Sequence, residues 1–210
     1  MILKKTILIS LYFLCIFSFG QKIESDSFFS RFILNDRYGE LFYCDDKNHF
    51  TLKLVGNTIQ EVEIEGSQRV QKNQHFISID GIIIQTISIP IPKHLRKIDS
   101  TEPEKILDAY LNYELDFIKN ELKVNISDVL MMPGNFSSRK YLLWKYKLTD
   151  NMNINDGETV KGQIHLSTIC FNQVLTLSIP MIDLSLENKY RRKLVNLARR
   201  IKLNEKPCEK

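Results

Sequence analysis

Hydrophobic positions in the first half of the chain recur at the spacing of β-strands. Extended segments are predicted over residues 40–44, 50–55 and 58–64. In the last of these, apolar side chains stand among Gln and Glu, as in a half-buried strand. Residues 75–90 are rich in β-branched side chains on both sides of Asp80 and Gly81. Because Asp-Gly tolerates positive φ, this segment is predicted to form a tight hairpin.

In two other segments, apolar residues recur at the spacing of helices. In the first, apolar residues recur at steps of three and four, namely Leu107, Leu111, Leu115, Ile118 and Leu122. Thr101 and Glu104 form a capping box before this stripe, and Pro103 lies in the first turn, where it loses no hydrogen bond. In the second, over residues 186–203, the positions predicted to be buried are Tyr190, Leu194, Leu197 and Ile201.

The remaining apolar segments are again extended. Strands are predicted over residues 124–132 and 141–148, and residues 160–180 are predicted to form a hairpin that turns near Asn172 and Gln173. These strands, together with the two helices, indicate an α+β fold in which helices pack on an antiparallel sheet.

The first twenty residues have the three parts of a secretory signal peptide. Lys4 and Lys5 precede an apolar run, and the small residues Ser18 and Gly20 stand where signal peptidase requires them. Cleavage is therefore expected near Gly20/Gln21, with export to the periplasm or the medium. The alternative is an uncleaved membrane anchor, but the run is shorter than a bilayer requires. No transmembrane helix is expected after cleavage. The sequence then divides as follows: signal peptide 1–20, linker or short first element 21–36, single α+β domain 37–203, flexible tail 204–210.

Charge is nearly balanced outside one helix. The chain has 29 Lys and Arg against 25 Asp and Glu, which gives no reason to expect nucleic acid as a partner. Cations concentrate on the last helix, and the candidate docking residues there are Lys189, Arg192, Lys193, Arg199 and Arg200. They suit an acidic protein or envelope component, and also peripheral contact with anionic lipid. The alternative is a solvated face whose late cations complement the helix dipole.

Three cysteines follow the signal peptide, namely Cys44, Cys170 and Cys208. In an oxidising compartment two of them are candidates for a disulfide, with one left over. Cys44 and Cys170 lie in strand-like segments, where buried free thiols are the alternative. The sequence leaves the pairing open.

The end of the chain resembles a known family. Residues 165–180 lead into a helix ending at residues 197–203, and this arrangement is similar to the closing hairpin and helix of PsbP-like proteins, the group named for an extrinsic photosystem II subunit. The nearest literal match is Val-Leu-Thr-Leu-Ser-x-Pro at residues 174–180, within a resemblance that spans residues 75–203. It implies an α/β/α sandwich and an accessory role without catalysis. No metal-binding or partner-contacting residue of the family can be assigned to this chain.

The sequence contains no recognisable motif for catalysis or cofactor binding. The four histidines, His49, His75, His94 and His165, have no metal-ligand spacing, and the chain lacks a nucleophile elbow and a phosphate-binding Gly-rich loop. No cofactor is therefore expected. The sequence predicts an exported, non-catalytic binding or accessory protein of the bacterial periplasm or cell envelope. Two alternatives stay open: a secreted hydrolase that uses carboxylates such as Asp45, Asp46 and Glu61, and a carrier of a hydrophobic ligand.

Overall fold

The computed structural model describes residues 28–36, 38–63, 73–92, 94–98, 102–136, 139–153 and 159–208. The predicted signal peptide and Thr101 of the predicted capping box lie outside these ranges. The strands are β1 (Phe29–Leu34), β2 (Gly39–Cys44), β3 (His49–Leu54), β4 (Ile59–Glu61), β5 (Gln74–Ile79), β6 (Ile82–Pro90), β7 (Ile126–Phe136), β8 (Arg139–Asn153), β9 (Thr159–Cys170), β10 (Gln173–Met181) and β11 (Ile201–Asn204). The α-helices are α1 (Pro103–Asp116), continued by a π-helical turn over Phe117–Glu121, and α2 (Glu187–Ala198).

The described strands form two antiparallel sheets rather than the single sheet that was predicted. The large sheet has the order β4-β5-β6-β10-β9-β8-β7, and the small sheet has the order β1-β2-β3-β11. The described part of the chain is thus mostly antiparallel sheet with two α-helices. The difference arises because a hydrophobic pattern predicts a strand but not the strand with which it pairs. In particular, β11 joins the small sheet although it lies at the far end of the sequence from β1, β2 and β3.

The helices lie on opposite faces of the large sheet. Tyr110 and Leu111 of α1 belong to one buried apolar cluster with Leu142 and Trp144 of β8. Residues of α2 and the small sheet share a second cluster with the other face of the large sheet. Each face of the large sheet therefore has its own core.

Both predicted hairpins of the large sheet are confirmed. β5 and β6 pair around Asp80 and Gly81, whose φ angles are +53° and +80°, as the tight turn requires. β9 and β10 pair from Gln173↔Cys170 onward, which places the turn at residues 171–172.

Helix α2 ends earlier than predicted. Its last residue is Ala198, and after Arg199 and Arg200 the chain continues as β11, where Ile201 pairs with Leu52 of β3. The prediction was wrong here because Ile201 also fits the helical spacing of the preceding leucine. The edge of β3 offers a ladder of backbone hydrogen bonds, and Ile201 is buried in either arrangement.

The C-terminal segment is held against the small sheet. Cys208 forms a disulfide with Cys44, and Nδ1 of His49 hydrogen-bonds the Lys206 carbonyl at 2.7 Å. Residues 204–208 therefore differ from the flexible tail that was expected. Cys170 is a buried free thiol, and burial raises its pKa to about 12.

Candidate functional site: a groove beside helix α2

An open groove lies between helix α2 and the hairpin of β7 and β8. Its volume is about 500 Å³. The residues that line it are Met132, Pro133, Tyr141, Leu143, Arg191, Arg192, Val195, Asn196 and Arg199. The hairpin supplies apolar and aromatic surface, and helix α2 together with Arg199, the residue that follows it, supplies the positive charge.

Helical spacing puts the cations on the groove side of α2. Arg191, Val195 and Arg199 are four residues apart, so they form one stripe along the helix. Leu194 and Leu197 are buried on the core side of the same helix. The arginines therefore line the groove while the leucines fix the helix to the sheet.

An aromatic pair lies beside the groove, and one of its members, Tyr141, lines it. Phe136 and Tyr141 stack with ring centroids 4.3 Å apart, and the Arg199 guanidinium lies 5.9 Å from the Phe136 ring centroid. A Cβ atom on Gly134 would lie 2.2 Å from the Tyr141 ring, so the ring can lie over the strand only because residue 134 is glycine. This surface suits a ligand in which an apolar group lies next to a negatively charged group.

Two contacts tie α2 to the hairpin. Near the start of the helix, Glu187 accepts a hydrogen bond from the Lys145 ammonium group of β8. At the other end, the Arg139 guanidinium donates to the carbonyl of Ala198 at 2.9 Å. The groove is therefore held at both ends and is formed before any ligand arrives.

The predicted docking residues divide between the groove and the surface around it. Arg192 and Arg199 line the groove. Lys193 instead forms an ion pair with Asp80, with 3.6 Å between Nζ and Oδ2, and Lys189 and Arg200 are exposed but do not line the groove. Arg191 was missed among the predicted residues, although its spacing of four and eight from Val195 and Arg199 could have identified it.

Buried polar side chains cluster separately, under helix α1. The Tyr110 hydroxyl lies 3.4 Å from Oγ1 of Thr176, and burial raises the pKa of the neighbouring Glu114 to about 8. On the sheet beneath, the Ser178 hydroxyl hydrogen-bonds Nδ1 of His165 at 2.7 Å. Burial lowers the pKa of His165 to about 3, so this imidazole is neutral at physiological pH.

Two of the three carboxylates considered for hydrolysis, Asp45 and Glu61, have local hydrogen-bond partners. Oδ1 of Asp45 accepts hydrogen bonds from the backbone amides of Lys47 and Asn48, which makes it part of the β2–β3 turn. Glu61 accepts a hydrogen bond from His75 at 2.8 Å. Within the described residues, no group of three or more His, Cys, Asp or Glu side chains is placed to hold a metal ion. In the same part of the chain, no helix is both long enough and apolar enough to cross a membrane.

Comparison with known proteins gives a distant structural likeness. No family model matches the chain, and no curated protein matches it significantly. Among solved structures, it is similar to the solution structure of cyanobacterial PsbP (CyanoP) from Synechocystis sp. PCC 6803, with a TM-score of 0.47 and 10% sequence identity, over 78% of this chain and 92% of that chain. At this level the likeness carries no information about function, which has to be inferred from this chain's own side chains.

Proposed function

We propose that this chain is an exported accessory protein of the bacterial periplasm or cell envelope that binds an acidic segment of a partner protein in the groove beside α2. The observation that carries the proposal is the convergence of Arg191, Arg192 and Arg199 on one concave surface with an apolar floor. Arginine is suited to this task because its planar guanidinium pairs with carboxylates and also stacks on aromatic rings. Docking of this kind needs no chemical step.

A protein segment fits the groove better than a flat lipid surface. The groove is concave, and its floor of Met132, Tyr141 and Leu143 can take one or two apolar side chains between acidic ones. A membrane would also contact exposed cations outside the groove, such as Lys189 and Arg200. Peripheral membrane contact is therefore the competing outcome in the experiment below.

The finer architecture belongs to the same proposal. We infer an α/β/α sandwich of the PsbP-like kind, supported by α1 and α2 lying on opposite faces of the large sheet. The small sheet beside α2 is an addition to that plan.

Binding of a synthetic peptide that alternates glutamate with leucine tests the docking proposal. The groove variant R191Q/R192Q/R199Q removes three cations that line the groove. The matched variant K189Q/R200Q/K202Q removes three exposed cations that do not. At low salt, the groove variant is expected to bind the labelled peptide at least about ten-fold more weakly, and the matched variant to change the Kd by less than about three-fold.

Two results would contradict the docking proposal. In one, both variants weaken peptide binding equally, which is the result expected of a diffuse positive field. In the other, the protein binds vesicles containing anionic lipid but not the peptide, and the surface cations rather than the groove arginines control that binding.

A further inference from the structure

Three side chains from two sheets meet in one hydrogen-bonded line. Ser30 lies on β1 of the small sheet, whereas Glu61 and His75 lie on β4 and β5 of the large sheet. Oγ of Ser30 is 2.8 Å from Nε2 of His75, and Nδ1 of His75 is 2.8 Å from Oε1 of Glu61. The packing of the two sheets therefore brings together residues that are far apart in the sequence.

The two contacts assign a distinct role to each nitrogen of the imidazole. In neutral His75, a proton on Nδ1 is donated to the Glu61 carboxylate, which leaves the lone pair of Nε2 to accept the Ser30 hydroxyl proton. This is the order of atoms in a serine–histidine–acid triad, where the acid fixes the tautomer and the imidazole acts as general base. We propose that Ser30 is a nucleophile activated by His75 and positioned through Glu61, and that it accepts acyl groups from carboxylic esters.

Burial and packing support these roles. The His75 side chain is 7% exposed and that of Glu61 is 31% exposed, while Ser30 is half-buried. The ring of Tyr43 meets the His75 ring edge-on, with centroids 6.3 Å apart and planes at 88°. The base is thus shielded and oriented, the serine is partly accessible, and Glu61 is the most exposed of the three residues. Such positioned bases contribute about 10² to 10⁴ in rate.

The proposed step balances without a cofactor. Oγ of Ser30 attacks the ester carbonyl carbon, and its proton passes to Nε2 of His75. The bond from carbon to the alcohol oxygen then breaks, and His75 returns the proton to the departing alcohol, which leaves an acyl-serine. Water, activated by the same imidazole, then releases the carboxylic acid and restores Ser30. This activity goes beyond the docking function and uses no residue of the groove.

Labelling with diisopropyl fluorophosphate tests the triad in the full-length mature protein. In this reaction the Ser30 oxygen bonds to phosphorus, fluoride leaves, and the hydroxyl proton is taken up by His75. We expect one adduct per chain, mapped to Ser30 by peptide mass spectrometry. E61Q and H75N are expected to lower the labelling rate at least about ten-fold, whereas S78A, a serine-to-alanine change on the same strand as His75, is expected to leave it unchanged.

The outcomes distinguish a catalytic role of the three residues from a role that is only structural, in which they hold the two sheets together. The absence of a Ser30 adduct in folded protein overturns the proposal, and so does a labelling rate that E61Q leaves unchanged. If E61Q and H75N lower the unfolding midpoint while the wild-type protein gives no adduct, the three residues only hold the sheets together. Should H75N fail to fold, E61Q decides, because the partly exposed Glu61 can be replaced by its amide with little change in shape.

Discussion

Trp144 lies flat on His165, with ring centroids 3.8 Å apart and planes 10° from parallel. Both rings are buried under α1, and the indole N–H donates to the hydroxyl of Ser167 at 3.1 Å. Trp144 is the single tryptophan of the chain. Its fluorescence therefore reports directly on the protonation of its neighbour and on the packing of α1.

Acid titration of this fluorescence should show an unusually late transition. Because burial lowers the pKa of His165 to about 3, the emission is expected to stay constant from pH 8 to pH 5 and to change only as the pH approaches 3. Far-UV circular dichroism over the same range separates titration from unfolding. A fluorescence transition centred near 6.5, the ordinary histidine value, would contradict the buried, neutral ring.

Glu114 should make the fold less stable in alkali. Burial raises its pKa from 4.5 to about 8, so between these values the folded state binds more protons than the unfolded state. Stability from this group consequently falls as the pH rises through the interval and levels off above pH 8. Between pH 7 and pH 9, wild-type protein is expected to lose about 1 kcal/mol more than E114Q, as measured by urea unfolding. Equal losses in the two proteins would show that Glu114 is ionised in the folded state.

His165 has the opposite effect on the pH dependence of stability, and it does so at lower pH. Its pKa in the folded state lies below its ordinary value of 6.5, so the unfolded state takes up the proton first and stability falls as the pH decreases from 6.5 towards 3. The two buried groups together place maximum stability between about pH 4.5 and 6.5. In H165F, the loss of stability between pH 6.5 and pH 4 should be smaller than in the wild-type protein, measured again by urea unfolding.

Thiol titration should follow the pattern of one disulfide and one buried cysteine. Protein that begins at Gln21 is expected to show no reactive thiol when native, one when unfolded without reductant and three after reduction, since Cys44 pairs with Cys208 and Cys170 is free. The variant C44S/C208S should lose about 2 to 4 kcal/mol of stability. C170S serves as the control that removes the free thiol and keeps the disulfide. Two reactive thiols in unfolded, unreduced C170S would exclude the pairing.

Arg139 should stabilise the end of α2. Its guanidinium donates to the carbonyls of Ala198 and Ile201, at 2.9 and 3.5 Å. R139M is expected to cost about 1 to 3 kcal/mol, because these carbonyls lose a charged donor. R200M, which removes an exposed cation two residues after Ala198, is expected to cost less than about 0.5 kcal/mol. Similar losses in the two variants would mean that charge, rather than the hydrogen bonds of Arg139, holds this helix end.

Local patterns predicted the elements that local chemistry determines. The β5–β6 hairpin was predictable because Asp80 and Gly81 favour a tight turn. Helix α1 was predictable because the leucines after Pro103 recur at helical spacing and form one apolar face. The position of Ile201 in a strand was not predictable, because an apolar residue four positions after the buried Leu197 is equally compatible with a continued helix and with a strand. The resemblance to PsbP-like proteins is matched only by a distant likeness in fold.

Side chains that converge through tertiary packing could not be found from the sequence. Ser30, Glu61 and His75 have no fixed spacing, and their contacts exist only once the two sheets pack together. The groove was partly predictable, because its arginines share one helix. Its floor comes from β7 and β8, and no periodicity links Tyr141 to Arg199.

The small sheet has a consequence for the order in which the chain can complete its fold. Three of its strands are made first, but β11 and the bond from Cys44 to Cys208 require a segment 164 residues further along the chain. In the export that we propose for this chain, the open edge of β3 and an unpaired thiol at Cys44 would remain exposed to chaperones, oxidoreductases and proteases until the last segment has left the translocation channel. Maturation should therefore be abrupt, with resistance to protease appearing only after the last segment has emerged into an oxidising compartment.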